Sequence, residues 1–95
     1  ILIAFIYGSY AKNTENGESD IDLFVIGDIS SKDLQEVISE VESKTMREIN
    51  ATIYPLKELK QKHKAKNHFI LSVLKEPKIF LKGDEDGIRK LVQDR

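Results

Sequence analysis

Six consecutive residues, Leu2 to Tyr7, are apolar, β-branched or aromatic, and the run stops at Gly8. A half-exposed strand would alternate polar and apolar residues, so this run reads as a strand buried on both faces. The whole chain must then be organised around covering it. With 95 residues, one core covered by one layer of helices is the most that can be built. A single domain spanning residues 1–95 is therefore expected.

The remaining elements follow from periodicity and punctuation. Lys12 to Ser19 contains the turn signal Asn16-Gly17 and no apolar residue, which makes it a solvent-facing connection. A second strand follows, Ile21 to Ile26, closed by Gly27. Ser30 and Ser31 are good N-caps with Asp33 in the first turn, and Leu34, Val37, Ile38 and Val41 fall at helical spacing. Glu48 to Tyr54 changes to period two: Ile49, Ala51 and Ile53 lie on one side, Glu48, Asn50, Thr52 and Tyr54 on the other. Pro55 starts a short helix through Leu56 and Leu59, and another runs through Phe69, Ile70, Val73 and Leu74 until Pro77. Ile79 to Lys82 make a last strand, and Gly83-Asp84 leads into a closing helix with Ile88, Leu91 and Val92. The order is ββαβααβα. It implies an α/β (α+β) fold: a mixed sheet of about four strands with helices mainly on one face, leaving the other face for a site. The short link between the first two strands allows them to be antiparallel neighbours.

Fifteen basic against sixteen acidic residues give no overall attraction to nucleic acid or to an anionic membrane, so direct nucleic-acid binding is not indicated. No apolar stretch is long enough to span a membrane. The absence of cysteine excludes disulfides, thiolate metal sites and thiol nucleophiles, and makes the cytoplasm the expected compartment. The sequence opens on Ile1, already in strand character, which leaves room for residues or a domain upstream.

The chemistry concentrates at two strand ends. In Ser19-Asp20-Ile21-Asp22-Leu23 two acids stand at spacing two, so both carboxylates project from one face, with Cα atoms ~6.5–7 Å apart. Such a pair suits hard divalent ions ~3.5–4 Å apart that also take phosphate oxygens and water, hence Mg2+ or Mn2+. Gly8 lets the backbone approach a ligand closely, the Ser9 hydroxyl and the following amides can donate to phosphate oxygens, and Lys12 adds a positive charge. Each element alone has a plainer reading, because acids at strand ends often serve as turn formers or solvated edge charges. The combination is more specific.

Gly8-Ser9-Tyr10-Ala11-Lys12 together with Ser19-Asp20-Ile21-Asp22-Leu23 resembles the Gly-Ser…Asp-x-Asp motif of the DNA polymerase beta-like nucleotidyltransferases in their minimal, stand-alone form. Arg47-Glu48-Ile49-Asn50, Tyr54-Pro55, Asn67-His68-Phe69 and Pro77 to Gly83 resemble a prokaryotic subgroup in which this domain often follows a winged-helix domain. The resemblance implies that Asp20 and Asp22 bind metal and that Gly8, Ser9 and Lys12 hold the nucleotide's phosphates. It also implies a third carboxylate on a later strand that completes the site and acts as base. By register that position is Asn50, which carries no charge; Glu48, on the same polar face, is the nearby carboxylate able to substitute.

Two function classes follow. One is an enzyme that transfers a nucleoside monophosphate from a nucleoside triphosphate to an acceptor hydroxyl with release of pyrophosphate. The other is an inactive or weak nucleotide- or partner-binding module, antitoxin-like or regulatory, that lacks the third carboxylate. The resemblance extends to domains of this size that pair with a separate helical protein, as in toxin and antitoxin pairs, and a homodimer is compatible with it. His63 and His68 lack ligand spacing, and Lys60, Lys62, Lys64 and Lys66 read as a solvated helix face. Tyr7, Tyr10 and Tyr54 are able to stack on a base, with core packing the plainer role for Tyr7.

Overall fold

The computed structural model describes residues 3–8 and 20–92. Two central strands are apolar along nearly their whole length: β1 (Ile3–Tyr7) and β2 (Ile21–Ile26) pair antiparallel, with Tyr7 opposite Asp22 and Phe5 opposite Phe24. β3 (Ile49–Tyr54) adds parallel to β2, and β4 (Ile79–Lys82) adds antiparallel to β1, giving the order β3-β2-β1-β4. The edge strands are less buried: β3 alternates with a polar side, and β4, although mostly apolar, leaves Ile79 and Leu81 exposed.

Among the described residues four helices cover the sheet. α1 (Ser31–Thr45) begins where the Ser30 hydroxyl accepts the Asp33 N–H at 3.1 Å, satisfying one of the helix's orphan donors. Its stripe of Val37, Ile38 and Val41 packs on Ala4, Ile6, Ile21, Leu23 and Val25. α2 (Leu56–Lys64), α3 (His68–Lys75) and α4 (Glu85–Val92) bring Leu59, Ile70, Val73 and Ile88 onto Ile3, Phe5, Phe24 and Ile26 on the opposite face. Most of the helices thus share one face, but the other is not free. The expected helix-free face for a site does not exist, because β1 and β2 carry buried side chains on both sides and each side requires its own cover. A site has to form where the strands end.

Among the described residues no helix is long and apolar enough to cross a membrane.

Candidate functional site

Because β2 and β3 run parallel and β1 runs against them, the end of β1 and the beginnings of β2 and β3 meet at one edge of the sheet. Register places Tyr7, Asp22 and Asn50 in a row across three strands. Alternation along the strands puts this row on the face covered by α2, α3 and α4, together with Phe5, Phe24 and Thr52.

Asp20, the exposed residue before β2, is joined to the row by Asn50, whose amide donates to the Asp20 carboxylate at 3.2 Å. Burial, then the neighbouring Asp20 charge, then Glu76, push the Asp22 carboxyl above its ordinary range, and the Asn50 amide opposes the shift. The two acids of the Asp-x-Asp motif therefore converge closely enough to repel each other. Gly8 stands against them with φ +80°, and a Cβ built there would lie 2.6 Å from Asp22 Oδ2. Only glycine leaves this carboxylate oxygen open while holding a left-handed backbone at no steric cost.

Beneath the acids lies a polar and aromatic floor. The Tyr7 phenol reaches across β2 to a hydrogen bond with the Thr52 hydroxyl of β3. Burial raises the phenol's pKa, Thr52 opposes this, and the Asp22, Glu76 and Tyr54 charges add to the rise. The ring packs edge-on against Phe5, Phe24 and Phe69, and Tyr54 stacks on Phe24 at 5.5 Å.

Of the residues singled out from sequence, Gly8, Asp20, Asp22 and Asn50 come together. Ser9, Tyr10 and Lys12 lie outside the described residues. Glu48 is exposed and stands one residue before β3, its backbone carbonyl accepting the Ile21 N–H at 2.9 Å. Among the described residues no three His, Cys, Asp or Glu side chains group tightly enough to hold a metal by themselves. The residues present, two carboxylates and the opening left by Gly8, fit a divalent ion whose remaining ligands come from phosphate and water. His63 lies on α2 and His68 opens α3.

Two participants were not singled out from the sequence. Glu76, just past α3, reaches the Asp22–Tyr7 neighbourhood electrostatically because β4 pairs with β1 and brings the end of α3 beside Tyr7. Thr52 could be assigned to a polar strand face, but not to a partner two strands away.

Comparison with known proteins gives a consistent picture. The profile of the family "Polymerase beta, Nucleotidyltransferase" matches residues 1–86. A chain in a crystal structure of a toxin–antitoxin with AMP-PNP superposes with a TM-score of 0.56 at 14% identity, over 96% of this chain and 68% of that one. Comparison with curated proteins yields no match.

Proposed function

This chain belongs to the polymerase beta nucleotidyltransferase family, and from that premise we propose that it transfers a nucleoside monophosphate from a nucleoside triphosphate to an acceptor hydroxyl. The observation that carries this reading is the convergence of Asp20 and Asp22 beside Gly8, whose missing Cβ keeps Asp22 Oδ2 open. Asp20 and Asp22 would hold Mg2+ or Mn2+, which when bound draws charge from phosphate oxygens and favours in-line displacement. Gly8, Ser9 and Lys12 take the β- and γ-phosphates. The acceptor oxygen forms a bond to the α-phosphorus as the bond to the β-phosphate's bridging oxygen breaks, and pyrophosphate leaves. In this reading the hydroxyl proton passes to Glu48.

The toxin–antitoxin likeness supports a separate helical partner protein as the source of that hydroxyl, in the cytoplasm, with a second copy of the chain as a further assembly to test. A second reading is favoured by Asn50, whose amide occupies the third position of the site by bonding Asp20. In that reading the domain binds nucleotide or partner without turning over.

Calorimetric titration of a nucleoside triphosphate should show binding that requires Mg2+ or Mn2+ and is lost in Asp20→Asn/Asp22→Asn. Metal-independent binding of equal strength in the double variant would sink the site. Transfer is read by incubating the protein with labelled triphosphate, metal and cell extract. Glu48→Gln should lower the rate by ~10²- to 10⁴-fold, as expected for loss of a general base, with binding nearly intact, while Asn50→Asp should raise it. A silent wild type that gains activity only as Asn50→Asp would establish the binding module instead.

A further inference from the structure

Phe69 sits in the first turn of α3 and is 42% exposed, although the same helix buries Ile70 and Val73 almost completely. A single exposed apolar side chain is ordinary, so the neighbours decide its meaning. The Phe69 ring lies 6.3 Å from the Tyr7 ring, nearly perpendicular to it, and 6.3 Å from Phe24 at 34°. Tyr7 stands directly across from Asp22, and Phe24 is the next residue of β2 on the same face. The ring is thus fixed from beneath by two aromatic neighbours. Tyr7, which the ring meets edge-on, is the residue paired with Asp22 of the acidic pair. The polar residues Asn50 and Thr52 of β3 share that face. An exposed flat ring over a sheet face that also carries a hydroxyl and an amide side chain suits a heteroaromatic base: apolar on its faces, hydrogen-bonding at its edge.

We infer that the exposed face of Phe69 is the stacking platform for the base of the nucleotide whose phosphates meet Asp20 and Asp22. The inference rests on the nucleotide reading of that site and adds to it the place of the base. Every base offers a π-face, so the platform accepts bases without a strict code. The Asn67 side chain, which accepts the Ile70 N–H at 3.1 Å, caps the turn that presents the ring.

The test uses the full chain with Mg2+ and three probes: ATP, inorganic tripolyphosphate, and the triphosphate of the fluorescent base 2-aminopurine. Phe69→Leu retains an apolar side chain without the ring, and Phe69→Tyr retains the ring; circular dichroism confirms the fold of each. The wild type should quench 2-aminopurine on binding and prefer ATP to tripolyphosphate. Phe69→Leu should abolish the quenching and weaken ATP about tenfold, within the range of base–aromatic stacking, leaving tripolyphosphate binding unchanged. Phe69→Tyr should behave as wild type. Equal ATP affinity in Phe69→Leu and wild type overturns the platform, as does an equal loss of tripolyphosphate. If the wild type holds tripolyphosphate no less tightly than ATP, the platform fails while the phosphate site stands. If it holds neither in the presence of Mg2+, the site and the platform fail together.

Discussion

At Gly8, backbone and ligand chemistry coincide. Its φ of +80° is one that a side chain adopts only under strain, and its Cβ position is within 2.6 Å of Asp22 Oδ2. Gly8→Ala should therefore cost about 1–2 kcal/mol of stability from the backbone alone, measured by denaturant unfolding, and should also abolish metal-dependent triphosphate binding. An alanine variant that binds like wild type would separate the glycine from the site. Asp22 makes the opposite kind of contribution. Its folded pKa is raised by burial and by the Asp20 and Glu76 charges, so the native state holds that proton more tightly than the unfolded chain. Stability accordingly falls as pH rises from the ordinary carboxylate range through the raised pKa, and the penalty persists above it. Without divalent ions, Asp22→Asn should melt higher than wild type at pH 7. The difference should vanish below about pH 3, where the aspartate is protonated in both states. A variant that melts lower at neutral pH would contradict the repulsion on which the metal site is argued.

Among the elements, α3 carries Phe69 in its first turn and Glu76 just past its end, and that end is secured by Lys78. The Lys78 side chain is 1% exposed and its ammonium donates to Leu74 O at 2.7 Å, to Glu76 O at 2.9 Å and to Glu85 Oε2 at 3.1 Å. All three donors are satisfied, and the ammonium also lies 5.7 Å from the centre of the Phe5 ring. One buried cation thus ties the end of α3, the start of β4 and α4 together, and holds Glu76 beside Tyr7. Lys78→Met fills the same volume without the donors and should destabilise the fold by about 2–3 kcal/mol, the scale of hydrogen bonds to a charged group. Chemical unfolding gives the number, and a loss below 0.5 kcal/mol, within the range of ordinary surface substitutions, would show the clamp to be idle.

Taken as a whole, the molecule is a sheet covered on both faces whose strands end in like charges at one edge. That arrangement leaves stability to be recovered by a cation. Adding Mg2+ to a hundredfold excess over Kd stabilises a protein by about 2.7 kcal/mol when only the folded state binds, which in a domain of this size raises Tm on the order of 10 °C. Thermal melts should show such a rise in wild type and none in Asp20→Asn/Asp22→Asn. An equal rise in both would place the ion elsewhere. The second face, under α1, has a groove of about 380 Å³ whose apolar floor of Ala4, Ile6, Val37, Val41 and Leu81 is flanked by Glu40, Lys44, Thr45 and Lys82. It opens beside the short edge strand β4, where Ile79 and Leu81 are 43% and 46% exposed.

The sequence by itself determined the order of the elements, the apolar centre of the sheet and the convergence of Asp20 with Asp22, because each depends on local periodicity. The unbroken run ending at Tyr7 implied burial on both faces, yet the expectation of an open face for the site did not follow it through, and α1 closes that face. Tertiary structure alone decided that β3 sets Asn50 against Asp22, that the Tyr7 phenol crosses to Thr52, and that Phe69 and Glu76 come into the neighbourhood of Tyr7. Those neighbours depend on the order β3-β2-β1-β4. Pairing between strands distant in sequence sets that order, and no local pattern of residue types records which strands will pair.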